Sequence, residues 1–307
     1  MKSRLIVNPV AGTDAAPDYL QTINERLREA VGDLDIVMTI AAGDALHAGQ
    51  AAAKDGYEQI FVAGGDGTLN EVLNGVASVE GALGRTVFGL IPLGTGNDFA
   101  SALGLPEDVE SALEILLERR TVEADIGVLN ERYFINVSAG GFIAEVSDAV
   151  NPQLKSIAGK LAYLIGGAQV LMDYDAVRAS LSVVSVEGET IEREMSLEMF
   201  AVCNSRLVGG GRLIAPGAII NDGALDVCVV EAMPTLDFIT LLSSVSSGDH
   251  IEDPRVSYMR ATELDMSFSR TIKVNTDGEV LEAERCHYRI LPRAARFLAG
   301  DAPYAER

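Results

Sequence analysis

The sequence predicts two domains: an α/β N-terminal domain with a mainly parallel sheet, and a C-terminal antiparallel β-sandwich domain, with a cleft between them. Three observations carry this. Over residues 1–127, apolar strand-like runs alternate with helical patterns, the signature of a parallel sheet covered by helices. From residue 128 to 293 short strand-like runs dominate, separated by turn signals such as Asn221-Asp222-Gly223 and Thr276-Asp277-Gly278. The chain has 307 residues, 48% of them hydrophobic, which is enough to fill two cores.

In order, the first-domain strands are expected at Arg4–Val7, Asp35–Thr39, Gln59–Val62, Val87–Ile91 and Thr121–Ile126. Pro17 opens a helix with Leu20, Ile23, Leu27 and Val31 on one face and Gly32 as its stop. A second helix runs from Thr68 to about Ala77, with Leu69, Val72, Leu73 and Val76 at helical spacing. A third runs from Asp108 to Arg119. In the second domain, strands are expected at Tyr133–Val137, Ala179–Val186, Leu197–Val202, Leu225–Val230, Thr262–Phe268, Thr271–Asn275 and Tyr288–Leu291. A largely apolar helix is expected around Leu154–Met172, interrupted by Gly166-Gly167.

Charge narrows the function classes. Lys and Arg total 24 against 45 Asp and Glu, a net charge of −21. Nucleic acid is therefore not an expected partner, because phosphate-backbone binding needs a basic surface. Strong electrostatic docking onto an anionic bilayer is disfavoured for the same reason. Cys203, Cys228 and Cys286 are far apart and odd in number, so buried thiols in a reducing cytoplasm are expected rather than disulfides. The three histidines are scattered and suggest no metal cluster. The N-terminus leads straight into a strand, without a signal-peptide pattern, and no apolar stretch of about 18 residues could span a bilayer.

The most informative segment is Gly64-Gly65-Asp66-Gly67-Thr68-Leu69-Asn70, directly after the buried run Ile60–Ala63. Glycines let a backbone approach phosphate closely, and the free amides of a helix start favour an anion. The same residues also suit turn geometry alone. Three further segments follow predicted strands: Asn8-Pro9-Val10-Ala11-Gly12, Thr39 before Gly43-Asp44, and Pro92-Leu93-Gly94-Thr95-Gly96-Asn97-Asp98-Phe99-Ala100. Parallel sheets bind ligands beyond the carboxyl ends of their strands, so all four loops are expected on one edge. None fits the P-loop pattern. Phosphate is thus expected to rest on backbone amides, hydroxyls and asparagine.

These segments, with Asn221-Asp222-Gly223 and Asp277-Gly278-Glu279, resemble the diacylglycerol kinase catalytic-domain family, in its bacterial soluble lipid kinase branch. That family is related to sphingosine kinases and more distantly to NAD kinases. The resemblance covers essentially the whole chain. It implies an ATP-binding α/β domain, a β-sandwich lipid-substrate domain, an active site in the cleft, and a return of residues 294–307 to the first domain. It implies that Asn8, Pro9, Val10, Ala11, Gly12, Thr39, Gly65, Asp66, Gly67, Thr68, Leu69, Asn70, Glu71 and Thr95 line the ATP site. Asp66 is the implied positioner of magnesium (Mg2+) and phosphates, and Glu279 the implied acceptor of the lipid hydroxyl proton. Asp222, with main-chain groups of Ile219 and Ala224, is implied to hold a structural Mg2+ in the second domain, where oxygen ligands suit a hard cation.

The expected reaction is transfer of the ATP γ-phosphate to a lipid hydroxyl, with diacylglycerol or a related lipid as substrate. Such chemistry needs alignment, charge neutralisation and removal of a proton. Two alternatives stay open: NAD kinase-like phosphorylation, and a non-catalytic lipid or nucleotide sensor on the same fold. Transient contact with a membrane surface and a homodimer are expected by analogy. Two departures stand out. Some relatives carry a basic residue where this chain has Thr13, and another where it has Gly166. The apolar helix at Ile157–Met172 reads either as core or as the wall of an acyl-chain slot or a membrane-touching surface.

Overall fold

The computed structural model describes residues 2–12, 16–149 and 174–306. Thr13, Gly166 and the helix expected at Leu154–Met172 lie outside the described residues. The chain divides into two compact units, residues 1–126 with 219–223 and 291–307, and residues 127–218 with 224–290.

The first unit contains β1 (Ser3–Val7), α1 (Ala16–Val31), β2 (Leu34–Met38), α2 (Asp44–Lys54), β3 (Gln59–Gly64), α3 (Asp66–Ala77), α4 (Ala82–Arg85), β4 (Val87–Pro92), α5 (Asp98–Ala102) and α6 (Val109–Leu117). β1 pairs in parallel with β2 and β3, and β3 with β4. Every residue of β1 and β3 is buried, as a parallel strand covered on both faces requires. The next strand, β5 (Thr121–Leu129), was expected in this row but pairs elsewhere. Its place beside β4 goes to Arg296 and Phe297 near the chain's end. The Phe297 ring lies 4.9 Å from Phe99 and 5.4 Å from Phe88, anchoring that end in the core.

The helix α2 has no counterpart among the helices expected from sequence. Its buried residues are Ala45, Ala48, Gly49, Ala52 and Ala53. A face of small residues carries little apolar periodicity, yet it lets helices approach closely. A Cβ on Gly49 would collide with the Val72 carbonyl of α3, and one on Gly75 with the Leu46 carbonyl of α2. The start of α6 is set by Asp108, whose carboxylate accepts the Ser111 amide at 2.9 Å.

The second unit is antiparallel. It contains the end of β5, then β6 (Arg132–Phe134), β7 (Val137–Gly141), α7 (Phe142–Ala149), β8 (Val177–Ser185), β9 (Thr190–Cys203), the short pair β10 (Leu207–Val208) and β11 (Arg212–Leu213), β12 (Leu225–Glu231), α8 (Thr235–Ser244), β13 (Val256–Thr276) and the first part of β14 (Glu279–Leu298), whose end from residue 291 belongs to the first unit. The strand expected over Tyr133–Val137 is split into β6 and β7. The two strands expected at Thr262–Phe268 and Thr271–Asn275 form one, β13, with a register shift between Ser267 and Ile272. Both β9 and β13 are long enough to serve several neighbours: β13 pairs with β12, β8, β7 and β14 along its length. The sandwich core includes Phe134, Phe200, Leu225, Val274 and Tyr288, and a second cluster around Phe142 and Phe238 lies under α8.

All three cysteines are free and buried. Burial pushes the Cys228 thiol up to about 12 and Cys286 to about 11, and Cys203 well above its ordinary value. His250 is 2% exposed, with Nε2 at 3.1 Å from the Ile214 carbonyl oxygen.

The domain division differs from the sequence expectation at residue 127, at residues 291–293 and at one internal segment. Residues 219–223 fall in the first unit rather than the second. Hydrogen bonds explain this: Ile220 donates to the Tyr304 carbonyl and accepts from the Asp125 amide at 2.7 Å. Asn221 and Glu306 exchange a reciprocal pair.

Candidate functional site

The four loops expected on one edge do meet at the carboxyl ends of β1–β4. Three approach through glycine. Gly12 has φ of +72°, and a Cβ there would collide with the Leu93 carbonyl. A Cβ on Gly94 would lie 2.5 Å from the Gly65 Cα. No residue but glycine lets these backbones lie so close. The fourth loop joins through a side chain, with the Gly43 amide donating to Glu71 Oε2 at 3.2 Å.

Side chains then fix the loops. Asn8 Nδ2 donates to Thr68 Oγ1 at 3.0 Å, and Asn8 Oδ1 accepts the Val10 amide at 3.2 Å. Asn97, with φ of +52°, closes the next turn by bonding both the amide and the carbonyl of Gly94. Gly65 caps α3 without any side-chain acceptor. The first-turn amides of such a helix favour an anion.

Asp66 has a structural partner that its sequence position did not announce. Its two oxygens accept the Asp98 and Phe99 amides, at 3.0 and 2.9 Å, at the start of α5. The carboxylate thus ties the loop after β3 to the helix after β4.

The remaining expected site residues separate by exposure. Val10, Gly67 and Thr95 are exposed, and Pro9, Ala11, Gly65 and Glu71 are partly so. Ile40, beside Thr39 on the same edge, is 94% exposed and Val10 83%. Thr39 is buried and its amide bonds the Val7 carbonyl. Leu69 is fully buried, so its side chain belongs to the core, and Asn70 is occupied with Asn74.

Around Asp222, the carboxylate of Asp125 is the organising group. It accepts the Gly223 and Arg293 amides, each at 2.6 Å. Burial raises its pKa, those two amides lower it, and the neighbouring charge of Asp222 raises it again. The Asp222 charge is thus near enough to Asp125 to act on it, and carboxylate and carbonyl oxygens are the ligand type that suits a hard divalent cation. Ala224 follows at the start of the next stretch of the second unit and is buried.

Glu279 stands in the second unit at the head of β14. Its carboxylate forms an ion pair with Arg132. The turn before it is held by Asp277, which the sequence places in a turn signal and in the Asp277-Gly278-Glu279 motif without naming a partner for it. Asp277 has φ of +47° and is 8% exposed. Its carboxylate accepts the amides of Ile135 at 2.6 Å, Asn136 at 3.1 Å and Val137 at 2.9 Å. One histidine scattered in sequence is not isolated in space: His287 Nδ1 lies 2.9 Å from Asp265 Oδ1 on the neighbouring strand, with Glu263 nearby. All three are surface groups.

A parallel sheet with an anion-ready, glycine-tight edge, followed by an antiparallel sandwich carrying a carboxylate on a tight turn, defines a two-domain phosphotransferase. The comparisons give the family. Residues 2–129 match the diacylglycerol kinase catalytic domain, and residues 136–299 match the YegS C-terminal NAD kinase beta sandwich-like domain. The diacylglycerol kinase of Bacillus subtilis (strain 168) is 34% identical over 279 residues, spanning 91% of this chain and 89% of its own. That of Staphylococcus carnosus (strain TM300) is 34% identical over 278 residues, spanning 91% and 88%. A crystal structure of a diacylglycerol kinase from Bacillus anthracis str. Sterne superposes with a TM-score of 0.76 at 25% identity, covering 98% of this chain and 97% of that one. The chain belongs to the diacylglycerol kinase catalytic-domain family, and it is a kinase. Among the described residues, no helix is long and apolar enough to cross a membrane.

Proposed function

We propose that this kinase transfers the γ-phosphate of ATP, with magnesium, to the hydroxyl of diacylglycerol or a closely related lipid. The observation that carries this reading is the span of the family matches. One contains the Gly65–Asn70 edge and the other contains Glu279, so both features fall within matched sequence. The curated relatives with such a span are diacylglycerol kinases.

In this reading the amides at the start of α3 and the loops at Gly12 and Gly94 receive the ATP phosphates. Val10 and Ile40 offer apolar surface to the base. Glu279 accepts the proton of the lipid hydroxyl as its oxygen bonds to the γ-phosphorus. The bond from that phosphorus to ADP breaks, and the proton later passes to water. Magnesium, when bound, supplies charge neutralisation at the phosphates. The Asp66 carboxylate would hold that ion at the first-unit edge. Asp222 and the Ile219 and Ala224 carbonyls fit a second, structural one. A lipid acceptor also implies transient contact with a membrane surface, through local apolar groups given the net charge of −21.

The test is transfer of label from γ-labelled ATP with magnesium into an organic-extractable product, using mixed lipids in detergent, beside an Asp66→Ala control and an arm with NAD as acceptor. Label in a lipid that vanishes in the control supports the reading, and the labelled lipid names the acceptor. Label only in the NAD arm replaces it with nucleotide phosphorylation.

A further inference from the structure

Residues 130–137 hold the hairpin that carries Glu279 at three points. Asn130, at the tip of the β5–β6 turn, donates its amide to the His287 carbonyl at 2.8 Å and accepts the His287 amide on its side chain at 3.0 Å. Ile135, Asn136 and Val137 donate to Asp277. Between these two main-chain anchors, the Arg132 side chain pairs with Glu279 itself.

The energetic role of that pair is small. Both side chains are 37% exposed, and ion pairs at such positions contribute little to stability. The geometric role is larger. A glutamate has three rotatable side-chain bonds, whereas the base of Arg132 is fixed on both flanks. The contact joins Arg132 Nη1 to Glu279 Oε2, a charge-assisted pairing that favours one orientation of the carboxylate.

We propose that Arg132 is a positioning residue, holding the Glu279 carboxylate in the orientation from which it accepts the proton of the lipid hydroxyl. This rests on the reading of Glu279 as that acceptor. Arg132 acts through Glu279 and takes no part in binding ATP.

The test compares kcat, the KM for ATP and Tm in the wild type, Arg132→Met, Arg132→Lys and Glu279→Gln, with labelled ATP and diacylglycerol in mixed micelles. Arg132→Met is expected to lower kcat on the order of 10- to 100-fold, the scale of a misplaced reacting group. The KM for ATP stays within about twofold, because only a transition-state interaction is lost. Arg132→Lys keeps the charge but not the guanidinium, and recovers part of the lost kcat. If Arg132→Met fails to fold, the lysine variant carries the test through its own several-fold loss of kcat. A variant that folds and keeps or raises wild-type kcat, while Glu279→Gln is inactive, overturns the role of Arg132 and leaves Glu279 standing. Full turnover by Glu279→Gln removes both. A rise in the KM for ATP that accounts for the whole loss also overturns the proposal.

Discussion

The edge of the first unit and the hairpin of the second reach functional geometry by different means. The edge is made by backbone approaching backbone: Gly12 against Leu93, Gly65 against Gly94. The hairpin is made by a side chain gathering backbone: one carboxylate, Asp277, collects three amides from a distant segment. The first device needs the absence of side chains, and the second needs one particular side chain. They should therefore fail differently, the edge through steric intrusion and the hairpin through unsatisfied donors.

The largest expected effect lies at the hairpin's cargo. Glu279→Gln should lower kcat by about 10²- to 10⁴-fold, the usual worth of a positioned base, while binding of an ATP analogue by fluorescence is unchanged. Retained turnover would remove Glu279 from the chemistry. Next comes its support. Asp277→Ala strands three buried amides, each costing about 1–3 kcal/mol, so urea unfolding should show a loss of roughly 3 kcal/mol or more. A loss below about 1 kcal/mol would mean that another acceptor replaces the carboxylate.

The edge should respond more weakly in stability and more strongly in ATP affinity. Gly12→Ala places a Cβ against the Leu93 carbonyl in left-handed backbone, for about 1–3 kcal/mol. Its signature is a raised KM for ATP with the lipid KM unchanged. The contrast between the two regions breaks if Gly12→Ala impairs only folding, or if Asp277→Ala raises only the KM for ATP.

The smallest effect is a pH dependence away from both regions. Burial lowers the pKa of His250 below its ordinary value of 6.5. The unfolded chain then binds the proton first as pH falls, so stability present above about 6.5 is lost progressively below it. Thermal unfolding followed from about pH 7.5 to 5.5 should show a falling Tm, flattened in His250→Gln. A slope unaltered by that substitution assigns the titration to other groups.

Legibility from sequence follows the same divide. β1 and β3 are buried on both faces, and their apolar runs Leu5–Val7 and Ile60–Ala63 stand out. The glycine loops after them are contiguous motifs, so their meeting on one edge follows from strand order. α2 was hidden because its buried face is alanine and glycine. The bonds from Asp66 to Asp98 and Phe99 span more than 30 residues, and those from Asp277 to Ile135–Val137 at least 140. No local pattern encodes such pairings. Residues 219–223 read as part of a β-rich stretch, yet their partners Asp125, Tyr304 and Glu306 draw them to the first unit.

The buried thiols have a practical reach. Nucleophilic labelling needs an accessible thiolate, and Cys203, Cys228 and Cys286 offer none at neutral pH. The native chain is therefore silent toward maleimide reagents without any cysteine being removed. A single Val10→Cys substitution, at a position 83% exposed on the edge proposed to receive ATP, would give one fluorophore site on an otherwise unmodified protein. Its emission would report nucleotide arrival in real time.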